Sequence, residues 1–93
     1  MTESEKQRCI EALAGQLRMI GAGQAKINSK IDGLRVDLLI PEHSVCIILT
    51  PFEVGKHNGI TENGYFVIYV EDSADVLNGI TLRSVLQIIS KKD

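Results

Sequence analysis

The chain reads as one small α/β (α+β) domain: an N-terminal helix, a three-stranded antiparallel meander, a further strand and a C-terminal helix. Three observations predict this. Apolar residues recur at helical spacing near both ends, three alternating or continuous β-forming runs follow one another in the middle, and tight-turn residues separate them. Ninety-three residues make a single domain with no internal boundary. An apolar fraction of 44% beside 24% charged residues, with two Tyr, two Phe and no Trp, predicts a core of Ile, Leu and Val.

In chain order, Ile10, Leu13, Leu17 and Ile20 recur three or four residues apart, which predicts an amphipathic helix over Glu3 to Ile20. Thr2 and Glu5 stand at capping-box spacing, and Gly21-Ala22-Gly23 supplies residues able to take positive φ at the far end. Ala25 to Ile31 alternates as a half-exposed edge strand does, with Lys26 and Lys30 on its polar side to discourage edge pairing. Asp32-Gly33 then predicts a hairpin turn.

Leu34 to Ile40 places Leu34, Val36, Leu38 and Ile40 on one face, with Arg35, Asp37 and Leu39 on the other. Pro41-Glu42-His43-Ser44 turns the chain, because Pro has no N–H to give a ladder. Val45 to Leu49 is continuously apolar, as a central strand covered on both faces should be. The helix is expected on one face of these three strands. Thr50 to Gly64 has no period and several turn formers, and it is expected to be loop.

Tyr65 to Val70 is a second uninterrupted run of β-formers. Glu71 to Asn78 is expected as loop with one helical turn. Thr81 then stands as N-cap of a last helix in which Leu82, Val85, Leu86 and Ile89 share a face.

Charge and cysteine usage narrow the function classes. A net charge of −2 and a pI near 5.6 offer no general attraction for phosphate backbones or anionic lipid. Cys9 and Cys46 fall in apolar settings and are expected as buried thiols in a reducing compartment, not as a disulfide framework. No apolar run approaches the ~18 residues of a membrane span, so a soluble chain is expected.

With the order helix, hairpin, third strand in place, Gly33-Leu34-Arg35-Val36-Asp37-Leu38-Leu39-Ile40-Pro41-Glu42-His43-Ser44-Val45-Cys46-Ile47-Ile48 resembles the core of the RAP domain. That domain stands at the C-terminus of organellar RNA-binding proteins and is related in fold to PD-(D/E)xK nucleases. Leu17 to Gly21 resembles its helix end, Val36-Asp37 with Ile40-Pro41 its first strand motif, and Leu77 to Arg83 with Leu86 its last helix. The resemblance covers two blocks separated by an unmatched Pro51 to Val76. It implies a restriction-endonuclease-like fold, and an RNA- and protein-binding scaffold of an organellar ribonucleoprotein such as the mitochondrial ribosome. The expected partners are protein subunits of that complex and organellar RNA, with no membrane. The expected location is a mitochondrial or other organelle matrix, otherwise the cytoplasm.

The departures point away from catalysis. Ile48 stands where the family carries its second carboxylate, and Thr50-Pro51 is all that remains of an acidic-Gly-Pro element. A hard divalent cation needs at least two carboxylates, so Asp37 alone is a vestigial candidate and no metal or cofactor is expected. The alternative environment for Asp37 is a solvated carboxylate paired with Arg35 or with a lysine of the neighbouring strand. An active nuclease would need Glu42 or Glu53 to replace the lost acid, with Lys56 near the water. A protein-binding adaptor of the immunity-protein kind is the third reading. His43 and His57 lack a second ligand at defined spacing and read as surface histidines.

Lys26, Lys30, Arg35, Lys56 and Arg83 are the candidate RNA-contacting residues, with Lys30 expected directly across the hairpin from Arg35. The family's closing strand has no counterpart after Asp93, so Tyr65 to Val70 is either inserted or takes its place. An open sheet edge or an uncovered apolar face would follow, which favours an interaction module.

Overall fold

The computed structural model describes residues 1–31, 33–50 and 63–92. It is a four-stranded mixed sheet, and the helices among the described residues pack on one face of it. The order along the chain is α1 (Glu3–Met19), β1 (Lys26–Ile31), β2 (Leu34–Ile40), β3 (Val45–Leu49), β4 (Phe66–Val70), α2 (Ser73–Leu77) and α3 (Ile80–Lys92). Strands lie in the order β1-β2-β3-β4. β1 with β2 and β2 with β3 pair antiparallel, whereas β4 pairs parallel to β3.

Local chemistry explains the ends of α1. The Thr2 hydroxyl accepts from the Glu5 N–H at 3.1 Å and donates to the Glu5 carboxylate at 3.2 Å. At the other end Gly21 takes φ +70°. The Ala22 N–H then reaches the Leu17 carbonyl and the Gly21 N–H the Arg18 carbonyl, the paired bonds of a Schellman motif. Ala22 is buried in the same cluster as Leu17, which completes the cap with an apolar contact. Gly23 (φ +91°) admits the Glu42 carboxylate where a Cβ would otherwise sit, tying this connection to the β2–β3 turn.

β1 and β2 pair as the Asp32-Gly33 turn demands, with Lys30 opposite Arg35 and Ile31 opposite Leu34. Gly33 takes φ +82°; Asp32 lies outside the described residues. Simple alternation fails further along the hairpin. Leu34 and Val36 pack with Leu39 on the face away from α1, whereas Leu38 and Ile40 pack on the face toward it. The switch falls at Asp37, where Asn28 occupies the corresponding interval of β1 with φ +53°. A left-handed residue rotates the pleat out of phase, and Asn is among the few side chains that tolerate it. As a result β2 is buried continuously from Val36 to Ile40.

β3 alternates cleanly. Val45, Ile47 and Leu49 enter the larger cluster with Ile10, Leu13 and Leu17 of α1, while Cys46 and Ile48 enter the smaller one with Ile31, Val36 and Leu39. All five are buried, as a central strand covered on both faces requires. Tyr65 to Val70 is confirmed as a strand from Phe66 onward, hydrogen-bonded beside β3.

The expected single helical turn after it is α2, capped by Asp72, whose side chain accepts from the Ala74 N–H at 3.0 Å. Thr81 does not cap the last helix. With Gly79 at φ +75°, α3 begins at Ile80, and Thr81 is a buried residue of its first turn. Val85 is fully buried against the larger cluster, and Leu82, Ile88 and Ile89 pack around it. Leu86 remains 39% exposed, with Ile88 in the role expected of it.

Candidate functional site

The chemistry that the sequence singles out converges on Asp37. β2 and β3 pair only over Leu38–Ile47, Leu39–Cys46 and Ile40–Val45. Beyond Leu38 a side chain takes over from the backbone ladder: Asp37 Oδ2 accepts from the buried Leu49 N–H at 2.7 Å. Its other oxygen, Oδ1, lies 3.2 Å from the Lys6 ammonium, which α1 presents from above. Lys6 sits on the stripe that continues to Ile10 and Leu13, so its stem lies over the core while its head reaches the carboxylate. Both side chains are largely withdrawn from water, at 18% and 6% exposure.

This corrects the expected environment. Asp37 is a buried carboxylate, 4% exposed, and its partner is Lys6 of the helix, not Arg35 or a strand lysine. Leu34 and Val36 face away from α1, so Asp37 falls on the α1 side beneath Lys6, whereas Arg35, next to the hairpin turn, is exposed. Arg35 instead donates to the Asn28 side chain at 3.2 Å. Lys6 is the residue that reading the sequence missed. Its signal was its position on the apolar stripe of α1, where a charge needs a partner.

The other acids do not join Asp37. Ile48 is 3% exposed within the smaller cluster. Glu42 lies in the exposed β2–β3 turn with its carboxylate against Gly23. Glu53, Lys56 and His57 fall outside the described residues. Among the described residues, no group of three or more His, Cys, Asp and Glu is placed to hold a metal ion. His43 is half-buried in the β2–β3 turn.

Both cysteines are buried free thiols. Burial pushes the Cys46 thiol up to about 11. Cys9 is raised as well, first by burial and then by the Glu5 and Asp72 carboxylates. Neither is poised as a nucleophile.

The candidate RNA-contacting residues separate into two places. Lys26, Lys30 and Arg35 lie exposed on the β1–β2 hairpin, with Lys30 and Arg35 directly paired across it. Arg83 lies on α3, which packs beside β4 at the opposite side of the sheet, and there borders a shallow groove with Leu86, Gln87, Ser90 and Lys91. Lys56 lies outside the described residues. No described helix is long and apolar enough to cross a membrane.

Comparison with known proteins gives no match to a family model, to a curated protein or to a solved structure.

Proposed function

We propose that the chain is a non-catalytic binding module, restriction-endonuclease-like in architecture, acting as an RNA- and protein-binding scaffold in an organellar ribonucleoprotein such as the mitochondrial ribosome. One observation carries the non-catalytic part. The carboxylate in the position of a nuclease ligand has one oxygen taken by the Leu49 N–H and the other by Lys6. A carboxylate so committed holds β2, β3 and α1 together, and recruiting it to a cation would break both contacts.

The RNA-binding part is supported by the hairpin, where Lys30 and Arg35 stand side by side in register with Lys26 on the same strand. Like charges directly opposite repel unless an anion lies between them, and a phosphate is such an anion. In a chain of net charge −2 this local pair, not the overall field, would supply the contact.

The test is binding of a single-stranded RNA oligonucleotide across a salt series. Affinity should fall with salt, and Lys30→Ala with Arg35→Ala should flatten the dependence by about two phosphate contacts. A native chain that binds no RNA and co-purifies with no protein partner overturns the reading.

A further inference from the structure

We infer that the outward face of α1 is a self-association surface that pairs antiparallel with α1 of a second copy of this chain. The buried face of α1 is accounted for by Cys9, Ile10, Leu13 and Leu17. On the outward side Arg8, Ala12, Gly15 and Met19 follow one another at spacings of four, three and four, the narrow seam of a two-helix pair, with Ala12 half-buried where the seam meets the core. Its centre is small: a Cβ added at Gly15 would meet nothing within 4 Å, so another helix can approach closely there. At its end stands Met19, 89% exposed and the most exposed large apolar side chain among the described residues.

Charge selects the occupant. Glu11 and Arg18 are exposed, lie seven residues apart on one flank of the seam, and border the same shallow groove as Ala12, Gly15 and Met19. In an antiparallel pair related by a two-fold axis, each flank meets its own copy. Layering Ala12 against Gly15 of the second copy brings Glu11 beside Arg18 of that copy, and Arg18 beside Glu11. The face is therefore complementary to itself, whereas a parallel pairing would not oppose these charges.

The same layering sets Met19 of the second copy opposite Arg8. There a hollow of about 210 Å³ is lined by Glu5, Arg8, Cys9, Ala12, Ser73 and Leu77, the last 75% exposed. The two most exposed large apolar side chains of the described surface, Met19 and Leu77, thus cover each other across the interface, with the Arg8 stem between them. One helix crossing with this flanking contact buries less than a standard interface, so the dimer is weak and depends on concentration.

Sedimentation equilibrium over a concentration series tests this. The chain should move from 10.2 kDa toward twice that mass. Glu11→Arg or Arg18→Glu alone reverses two symmetric pairs and should weaken association on the order of tenfold. Glu11→Arg with Arg18→Glu in one chain should restore it, as should mixing the two single variants. Met19→Lys, at a site too exposed to affect folding, should abolish it. A chain that stays at 10.2 kDa at every concentration overturns the proposal, as does self-association indifferent to both charge reversals.

Discussion

Asp37 shows how much one side chain can hold when two strands part. Three elements meet at its carboxylate: β2, which carries it, β3 through the Leu49 N–H, and α1 through Lys6. Asp37→Ala leaves a buried N–H without an acceptor and an ammonium without a counter-ion, and should cost about 2–4 kcal/mol of unfolding free energy in urea titrations. Asp37→Asn keeps an acceptor for Leu49 but removes the charge and sets an amide donor against the Lys6 ammonium, so it should recover only the Leu49 part of that loss. Lys6→Met combined with Asp37→Asn should cost less than the two single effects added, because the second change removes a partner that is already missing. Additive losses would mean that the ion pair contributes nothing.

Cys46 supplies a residue-scale prediction in pH. Its folded-state value of about 11 lies above the ordinary 9.0, so on raising the pH the unfolded chain gives up the thiol proton first. Stability from this group is complete below pH 9 and is lost as the pH climbs toward 11, by on the order of 2–3 kcal/mol. Cys46→Ala should remove that alkaline slope while leaving the other titrations in place. The measurement is stability against pH for both proteins, and parallel curves would refute the assignment.

At the scale of elements, what was legible in the sequence was whatever short range decides. Thr2 and Glu5 define the start of α1, Gly21 its end, and the turn before Gly33 sets Lys30 against Arg35, because each depends on residues within a few positions. The misread features depend on distant or left-handed partners. The phase of β2 was not legible because alternation breaks at Asp37, opposite a left-handed Asn28 on another strand (φ +53°), and nothing within β2 itself marks the break. Lys6 was not legible as a site residue because nothing local in α1 names a carboxylate on β2. Thr81 looked like a cap because Ser and Thr are favoured at that position, but α3 already begins at Ile80, directly after Gly79 with its positive φ.

Gly15 gives the matching element-scale prediction. It stands mid-helix with open space around its Cα, so Gly15→Ala should stabilise the protein in dilute solution by about 0.5–1 kcal/mol through helix propensity. Gly23→Ala should do the reverse. Its φ of +91° disfavours any Cβ, and the Glu42 carboxylate fills the space that the Cβ would need. Thermal midpoints of the two variants should therefore move in opposite directions from the parent.

At the scale of the molecule, one sheet carries two unequal clusters, and the helices among the described residues roof the larger one. α1, α2 and α3 all contribute to that roof, through Leu13 and Leu17, Val76 and Val85 respectively. α3 comes last in the chain and is held by packing, since a 13-residue helix is marginal alone. Its loss cannot be local: Val85 shares its cluster with Leu49 and Val70 of the two paired parallel strands. Val85→Ala should therefore cost roughly 2–3 kcal/mol and lower the stability of the whole domain, not fray one end. The chain has no Trp, and Tyr65 and Tyr69 report on β4 and its approach, while far-ultraviolet dichroism is dominated by α1 and α3. In both parent and Val85→Ala, denaturant transitions followed by tyrosine emission and by dichroism should coincide. A dichroism loss that precedes the tyrosine change in the variant would show that α3 detaches on its own, and that the roof is not one cooperative unit with the sheet.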